Sequence, residues 1–252
     1  MGNEFMPEFI KKDAKLAFHA QWGVAVLVTL FTGFFALISE IISTAEGVAI
    51  EPGRYKGVFG EEMVDLIVKY YNKYYLAILV VSLAISLFIT IIQYGECKVF
   101  LDIVERKEGK FSSLFDGFLY VFKAVGTSVY VLILVILWTF LLIVPGIIAA
   151  IKYSMTSYII AENPDTPITD AVDMSKNMME GHKMEYVMLL ISFVPWLLLI
   201  AFTCGIATFY VTPYLNTALA QFYVRVRDEY NMENGMGNIK DNLEKRDKED
   251  EE

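Results

Sequence analysis

Six stretches of the chain are almost wholly apolar, and polar segments or glycines separate them. Each stretch is 16–20 residues long, which at about 1.5 Å per residue approaches the roughly 30 Å hydrocarbon core of a bilayer. The stretches are residues 24–42, 76–92, 125–144, 146–161, 186–204 and 205–224. We therefore predict an all-α fold, a polytopic membrane helix bundle with six transmembrane helices.

The number six depends on two junctions that contain glycine. Pro145 and Gly146 interrupt the run LLIVPGIIAAIKYSMTSYIIAENPD, and Cys204-Gly205 interrupts a second run. Two tight turns would give six crossings, whereas two kinks would give four long, broken helices. We favour turns, because proline cannot continue a helix, glycine tolerates the angles that end one, and each arm has the length of a span.

Basic residues are distributed unevenly between the two sides of such a bundle. With six spans, sixteen Lys and Arg residues fall on one side, and four fall on the other, in the 43–75 connection. The positive-inside rule then places the protein in the cell membrane with both termini cytoplasmic. Four spans would put Lys176 and Lys183 opposite the other basic connections, so the distribution also favours turns.

Three cytoplasmic segments have apolar residues at helical spacing and are predicted to be amphipathic interfacial helices. The segment that contains residues 168–179 is expected to begin at an N-cap, Asp165 or Thr166, and to end at Gly181. Such helices either pack on the inner rim of the bundle or sense lipid in the headgroup plane. Their apolar stripes are Phe111, Leu114, Phe115, Phe118, Leu119 and Phe122; Ile168, Ala171, Val172, Ser175, Met178 and Met179; and Met6, Phe9, Ile10, Leu16 and Ala17.

Composition agrees with a membrane protein and excludes some functions. Hydrophobic residues make up 56% of the chain, the mean hydropathy is +0.46 and the net charge is −9, which argues against nucleic-acid binding. Cys97 and Cys204 are far apart and have no CxxC partner, so we interpret both as inert thiols. We predict one transmembrane domain over residues 1–230 and a charged, disordered cytoplasmic tail, or an isolated helix, over 231–252.

The predicted hairpins form an approximate repeat, in which Trp138 and Gly146 correspond to Trp196 and Gly205. A few polar residues fall inside the apolar stretches: Lys152, Thr156, Tyr158, Thr212 and Asn216. Lys152 either snorkels to the headgroups, which we favour, or faces the interior beside Asn216, Thr212 or Gln93. Pro213 is expected to kink the last span and to free the carbonyl of Phe209.

The sequence offers little for catalysis. His19 and His182 lack the partners of a metalloprotease or a triad, and no nucleotide-binding glycine motif occurs. Glu162, Asp165 and their acidic neighbours are interpreted as helix caps and a solvated face. We expect no enzyme activity, cofactor or metal ion.

Four blocks of the sequence resemble a bacterial integral-membrane family known as domain of unknown function 975 (DUF975). They are KKDAKLAFHAQWGVAVLVTL, QYGECKVFLDIVERKEGKFSSLFDGF, VPGIIAAIKYSMTSYIIAENPD and AVDMSKNMMEGHK. The resemblance covers roughly residues 8–228 and implies six spans. The family is distantly similar to the membrane domain of some glycerophosphodiester phosphodiesterases, which implies phospholipid or cell-envelope chemistry. Family members often have proline at the position of Ser157, so the resemblance implies that one kink is missing here.

Two function classes remain. The first is a non-enzymatic cell-envelope protein that moves, senses or shields against a lipid, a peptide or a small amphiphile. The second is an assembly or scaffold subunit that docks a membrane-protein partner, or a second copy of the chain, through its amphipathic helices and tail. A polar-lined cavity would favour the first class, and a solid core of small residues the second.

Overall fold

The computed structural model describes residues 6–203 and 205–249, with side chains described as far as residue 235. This part of the chain is all-α, as predicted. Its elements are α1 (Pro7–Ala20), α2 (Trp22–Ile50), α3 (Pro52–Phe59), α4 (Glu61–Val104), a 3₁₀ helix (Phe111–Tyr120), α5 (Val121–Leu141), α6 (Ile143–Lys152), α7 (Thr156–Glu162), α8 (Ile168–Met178), α9 (Lys183–Ile191), α10 (Val194–Phe202) and α11 (Thr208–Glu249).

Five helical segments of the described chain are long and apolar enough to cross a bilayer. They are Trp22–Ile50, Glu61–Val104, Phe111–Leu141, Ile143–Glu162 and Lys183–Phe202. These segments are compatible with a membrane protein. The sixth predicted stretch, residues 205–224, is not among them, although α11 covers most of it.

The position of α11 in the bundle explains its lower hydropathy. It packs against α1, α2, α4, α8 and α10. It also buries large aromatic side chains such as Tyr214, Phe222 and Tyr223. A helix enclosed by other helices can carry polar residues, because protein groups rather than lipid satisfy them; the buried Thr217 hydroxyl, for example, donates to the carbonyl of Pro213 at 2.7 Å.

The hairpin between the third and fourth stretches is real, but its turn is not at Pro145-Gly146. Leu142 adopts an extended conformation between α5 and α6, and Pro145 and Gly146 lie in the first turn of α6, where proline is tolerated. A Cβ on Gly146 would lie 2.1 Å from Thr139 Oγ1. The glycine is therefore required for close packing of α5 on α6, and the predicted turn residue was wrong.

Gly205 has the role that the sequence predicted for a junction glycine. Its φ of +91° ends α10, and its N–H donates to the carbonyl of Ile200 at 2.9 Å, as in a helix C-terminal motif. Its partner in that junction, Cys204, lies outside the described residues. Because Gly146 packs within a helix and Gly205 ends one, the two glycines are not structurally equivalent, and the repeat is looser than predicted.

The fourth and fifth predicted spans are each broken in the middle. Residues 153–155 separate α6 from α7, and Ser192 and Phe193 separate α9 from α10. At the second break, Lys11 of α1 donates to the carbonyl of Ser192 at 2.6 Å. A carbonyl outside the helical pattern is thereby satisfied by a side chain.

The predicted 43–75 loop is helical. α2 continues to Ile50, α3 follows, and α4 begins at Glu61 and has non-helical angles at Tyr74. The connection is therefore a compact helical extension of the first two spans.

The three amphipathic segments differ from prediction in detail. Residues 111–120 form a 3₁₀ helix rather than an α-helix. The N-cap of α8 is Pro167, so neither Asp165 nor Thr166 caps it. In α1 the face that packs on the bundle is Ile10, Ala14 and Phe18, whereas Met6, Phe9 and Leu16 are exposed.

Candidate functional site

A polar-floored cavity of about 290 Å³ lies between α2, α4 and α11. A carboxylate, two amides and several hydroxyls line it beside apolar groups. The lining residues are Thr29, Thr32, Gly33, Phe35, Ala36, Phe88, Ile89, Ile92, Gln93, Glu96, Thr208, Thr212 and Asn216. We call it the inner cavity.

The floor of the inner cavity is a carboxylate held by an amide. Asn216 Nδ2 donates to Glu96 Oε1 at 2.9 Å, so the pair joins α4 to α11. Glu96 is half-buried and makes no salt bridge with a basic residue of the described chain. An acidic side chain without a basic partner can bind a cation or hold a proton.

Helical spacing brings these polar groups to one place. Thr208, Thr212 and Asn216 recur every four residues, so they lie along one face of α11 over about 12 Å. Gln93 and Glu96 are three residues apart on α4. The sequence alone contained this signal, but the sequence analysis did not single out Glu96, which lies four residues beyond the second apolar stretch.

The walls of the inner cavity combine aromatic rings with an unsatisfied hydroxyl. Phe35 and Phe88 lie 4.6 Å apart between ring centroids, and both line the cavity. Thr29 is 6% exposed, and its Oγ1 has no hydrogen-bond partner among the described groups. A buried hydroxyl without a partner costs free energy unless a ligand or water satisfies it.

The polar residues that the sequence singled out do not form one site. Thr212 and Asn216 line the inner cavity. Thr156 lines a separate cavity of about 280 Å³ with Tyr153 and Ser157, and its buried Oγ1 also lacks a partner among the described groups. Tyr158 packs elsewhere, with its ring stacked on Tyr223 at 5.3 Å.

Lys152 lies outside the inner cavity. It is half-buried at the end of α6. Its carbonyl accepts a hydrogen bond from Ser175 Oγ at 2.8 Å. Whether its ammonium snorkels to the headgroups stays a prediction.

An ion-pair network ties the ends of α4, α7 and α11 together. Arg227 donates to Glu105 at 2.6 Å and also to Glu162 and Asp228. Tyr223 donates to the other oxygen of Glu162 at 2.6 Å. Glu162 is therefore a partner in a half-buried network, and its reading as part of a solvated face was wrong.

Charge and burial in this network shift pKa values in opposite directions. Burial alone would raise the pKa of Glu105, but the hydrogen bonds and positive charges of Lys107 and Arg227 hold it below its ordinary value. Burial alone would lower the pKa of Arg227, but hydrogen bonds to Glu105 and Asp228 and the nearby Glu162 raise it. The network therefore stays charged at neutral pH.

Among the described residues, no group of three or more His, Cys, Asp and Glu side chains is arranged to hold a metal ion.

The architecture is that of an all-helical protein with several apolar helices of membrane-spanning length. Residues 119–230 match the family described as Protein of unknown function (DUF975). The match supports the family resemblance, and it covers α5 to α10 and the first half of α11. No curated protein and no solved structure matches the chain.

Proposed function

We propose that this protein is a non-enzymatic, multi-pass protein of the cell membrane that moves, senses or shields against an amphiphile. The inner cavity is its binding site. Its polar floor suits a headgroup and its aromatic wall suits the start of an acyl or alkyl chain. A phospholipid or cell-envelope ligand agrees with the expected similarity to the membrane domain of glycerophosphodiester phosphodiesterases.

The observation that carries the proposal is the Glu96–Asn216 pair. Glu105 and Arg227 pair at the end of the bundle that the distribution of basic residues predicts to be cytoplasmic. Glu96 lies nine residues before Glu105, and Asn216 lies eleven residues before Arg227, so the pair is about 14–17 Å deeper along its helices. An acidic group at that depth is costly to place in a membrane, and such residues usually face a functional cavity.

Co-purification tests the proposal. The full chain, solubilised in mild detergent, is expected to retain an amphiphile that mass spectrometry identifies. Glu96→Gln should reduce the bound amount at unchanged protein yield, because it removes the charge and keeps the shape. Glu40→Gln is the matched control, since Glu40 is an exposed carboxylate of α2 that does not line the cavity.

Equal amounts of bound amphiphile in the native protein and in Glu96→Gln would contradict the proposal. Recovery of a stoichiometric protein partner in place of an amphiphile would instead favour the second candidate, an assembly or scaffold subunit. One observation supports that candidate: α11 continues as a helix to Glu249, well beyond the ion-pair network at Arg227. Such an extension could dock a membrane-protein partner or a second copy of the chain.

A further inference from the structure

A second polar cavity lies further along α2 and α4 than the inner cavity. It has a volume of about 380 Å³ and lies between the same two helices, nearer to α3. We call it the outer cavity. Four serines and one glutamate line it among aliphatic groups: Ser39, Ser43, Ser82 and Ser86, with Glu46, Ile42, Leu79 and Leu83.

Six of the nine lining residues on each helix follow one spacing. Steps of three and four residues alternate over seventeen residues, which keeps every position on the face that meets the other helix. On α2 the positions are Thr29, Thr32, Ala36, Ser39, Ser43 and Glu46, and on α4 they are Leu79, Ser82, Ser86, Ile89, Gln93 and Glu96. Seventeen residues correspond to about 25 Å, close to the thickness of a bilayer core.

We call the two cavities together, along this shared face of α2 and α4, the groove. Both ends of the groove are acidic. Glu96 lies at one end on α4 and Glu46 at the other end on α2, and the remaining lining residues of the two cavities are uncharged. The groove has an open side as well, where Ser43, Ser86 and Gln93 are exposed. A ligand with a cationic head can therefore lie in the groove while its apolar tail stays outside, among lipid chains.

Thr29 supplies an unsatisfied polar group at the inner end of the groove. It lines the inner cavity, and its buried hydroxyl has no hydrogen-bond partner among the described groups. The serines and threonines further along can form hydrogen bonds with a headgroup that are weak enough to exchange. Such exchange is required if the headgroup is to move along the groove.

We propose that the groove between α2 and α4 carries the cationic headgroup of an amphiphile from one leaflet to the other. Glu96 and Glu46 attract the head at the two ends, the hydroxyls and Gln93 replace part of its hydration between them, and the tail remains in the bilayer. The inference rests on the proposed function and specifies it: the ligand is a cationic amphiphile, and the protein moves it down its concentration gradient.

The test uses the full chain in phosphatidylcholine vesicles and two probes of matched shape. Trimethylammonium-diphenylhexatriene carries a positive head, and diphenylhexatriene propionic acid carries a negative one. Transbilayer movement is followed by extraction of the outer-leaflet probe with albumin, and binding is followed by fluorescence polarisation in detergent. The protein is expected to accelerate the cationic probe and to leave the anionic probe at its protein-free rate.

Substitutions in the groove distinguish transbilayer movement from binding at Glu96. Ser82→Leu and Ser86→Leu place bulk in the middle of the groove, so they should slow the cationic probe about tenfold while its binding at Glu96 is unchanged. Glu46→Gln keeps the shape of its side chain and should also slow the probe. Ala84→Leu is the control, because Ala84 is exposed on α4 and lines neither cavity.

The outcomes distinguish the two proposals. If the cationic probe binds in a Glu96-dependent way but crosses no faster than in protein-free vesicles, or crosses equally fast in the serine variants, the groove is not a path and the proposed binding function stands. If no amphiphile depends on Glu96, the proposed function fails first. A dimer cross-linked through Ser39→Cys, in a background without Cys97 and Cys204, would show that a second copy covers the groove and would overturn the inference.

Discussion

Arg227 joins the ends of α4 and α7 to α11. Its side chain is 17% exposed and serves two carboxylates on different helices, Glu105 and Glu162. Arg227→Met would leave the partly buried Glu162 without its ion-pair partner and Glu105 with Lys107 alone, so we expect a loss of about 2 kcal/mol in folding stability, less than for a fully buried pair. Thermal unfolding of the detergent-solubilised protein measures the loss.

Arg54 provides the control for this experiment. Its ion pair with Glu51 is exposed, with side-chain exposures of 72% and 61%, and exposed pairs contribute little. Arg54→Met should therefore leave the unfolding temperature nearly unchanged. Equal effects of Arg227→Met and Arg54→Met would contradict the structural role of the network.

Glu105 gives the network a dependence on pH. Its pKa is lower in the folded protein than its ordinary value, so the unfolded chain takes up the proton more readily. The stabilisation is therefore complete above the ordinary glutamate pKa and is lost as the pH falls through the lower, folded value. The difference in unfolding temperature between the native protein and Glu105→Gln should be largest near neutral pH and should shrink in acid.

Glu108 lies three residues further along and is exposed, so Glu108→Gln serves as the matched variant. It should show the same unfolding temperature as the native protein at every pH. A difference for Glu105→Gln that grows as the pH falls would show that the sign of the linkage is wrong.

At the scale of elements, the 3₁₀ helix is fixed to α4 by a glycine contact. A Cβ on Gly95 would lie 1.9 Å from the carbonyl oxygen of Leu114, a backbone atom that cannot move alone. Gly95→Ala should therefore displace the 3₁₀ helix and lower the yield of monodisperse protein in size-exclusion chromatography. Gly23→Ala should be tolerated, since nothing lies within 4 Å of that position and alanine favours helix. Normal yield and stability of Gly95→Ala would refute the close contact.

The elements also show which features the sequence could reveal. Long apolar stretches predicted the helices, because bilayer thickness and helical rise set their length. The turn predicted at Pro145 and Gly146 was wrong because the same residue types occur in tight turns, in the first turn of a helix and at close helix contacts. Only the contact with Thr139 distinguishes these roles here. Glu96 was missed because a charge that follows an apolar stretch in the sequence is usually taken as the end of the span. Its partner Asn216 is 120 residues away, and only the fold brings the two side chains together.

At the scale of the whole molecule, α11 shows how a polar helix can belong to an apolar bundle. Its polar positions Thr212 and Asn216 face the inner cavity, while Tyr214 and Phe222 are buried against other helices. Hydropathy alone therefore counts five candidate spans in the described chain, and the sixth remains a prediction that topology measurements can decide.

The topology prediction is that both termini are cytoplasmic and that α3 and the α5–α6 turn face outward, as the sixteen-to-four distribution of basic residues requires. Single cysteines in a background without Cys97 and Cys204 test it with a membrane-impermeant maleimide on intact cells. Gly57→Cys and Leu142→Cys should react, because Gly57 has open space around it and Leu142 is 65% exposed. Leu142 is preferable to Gly146, where a side chain would collide with Thr139. Glu180→Cys, at an exposed position after α8, should react only after the cells are permeabilised; reaction in intact cells would place the α8–α9 connection outside and would exclude the six-span arrangement.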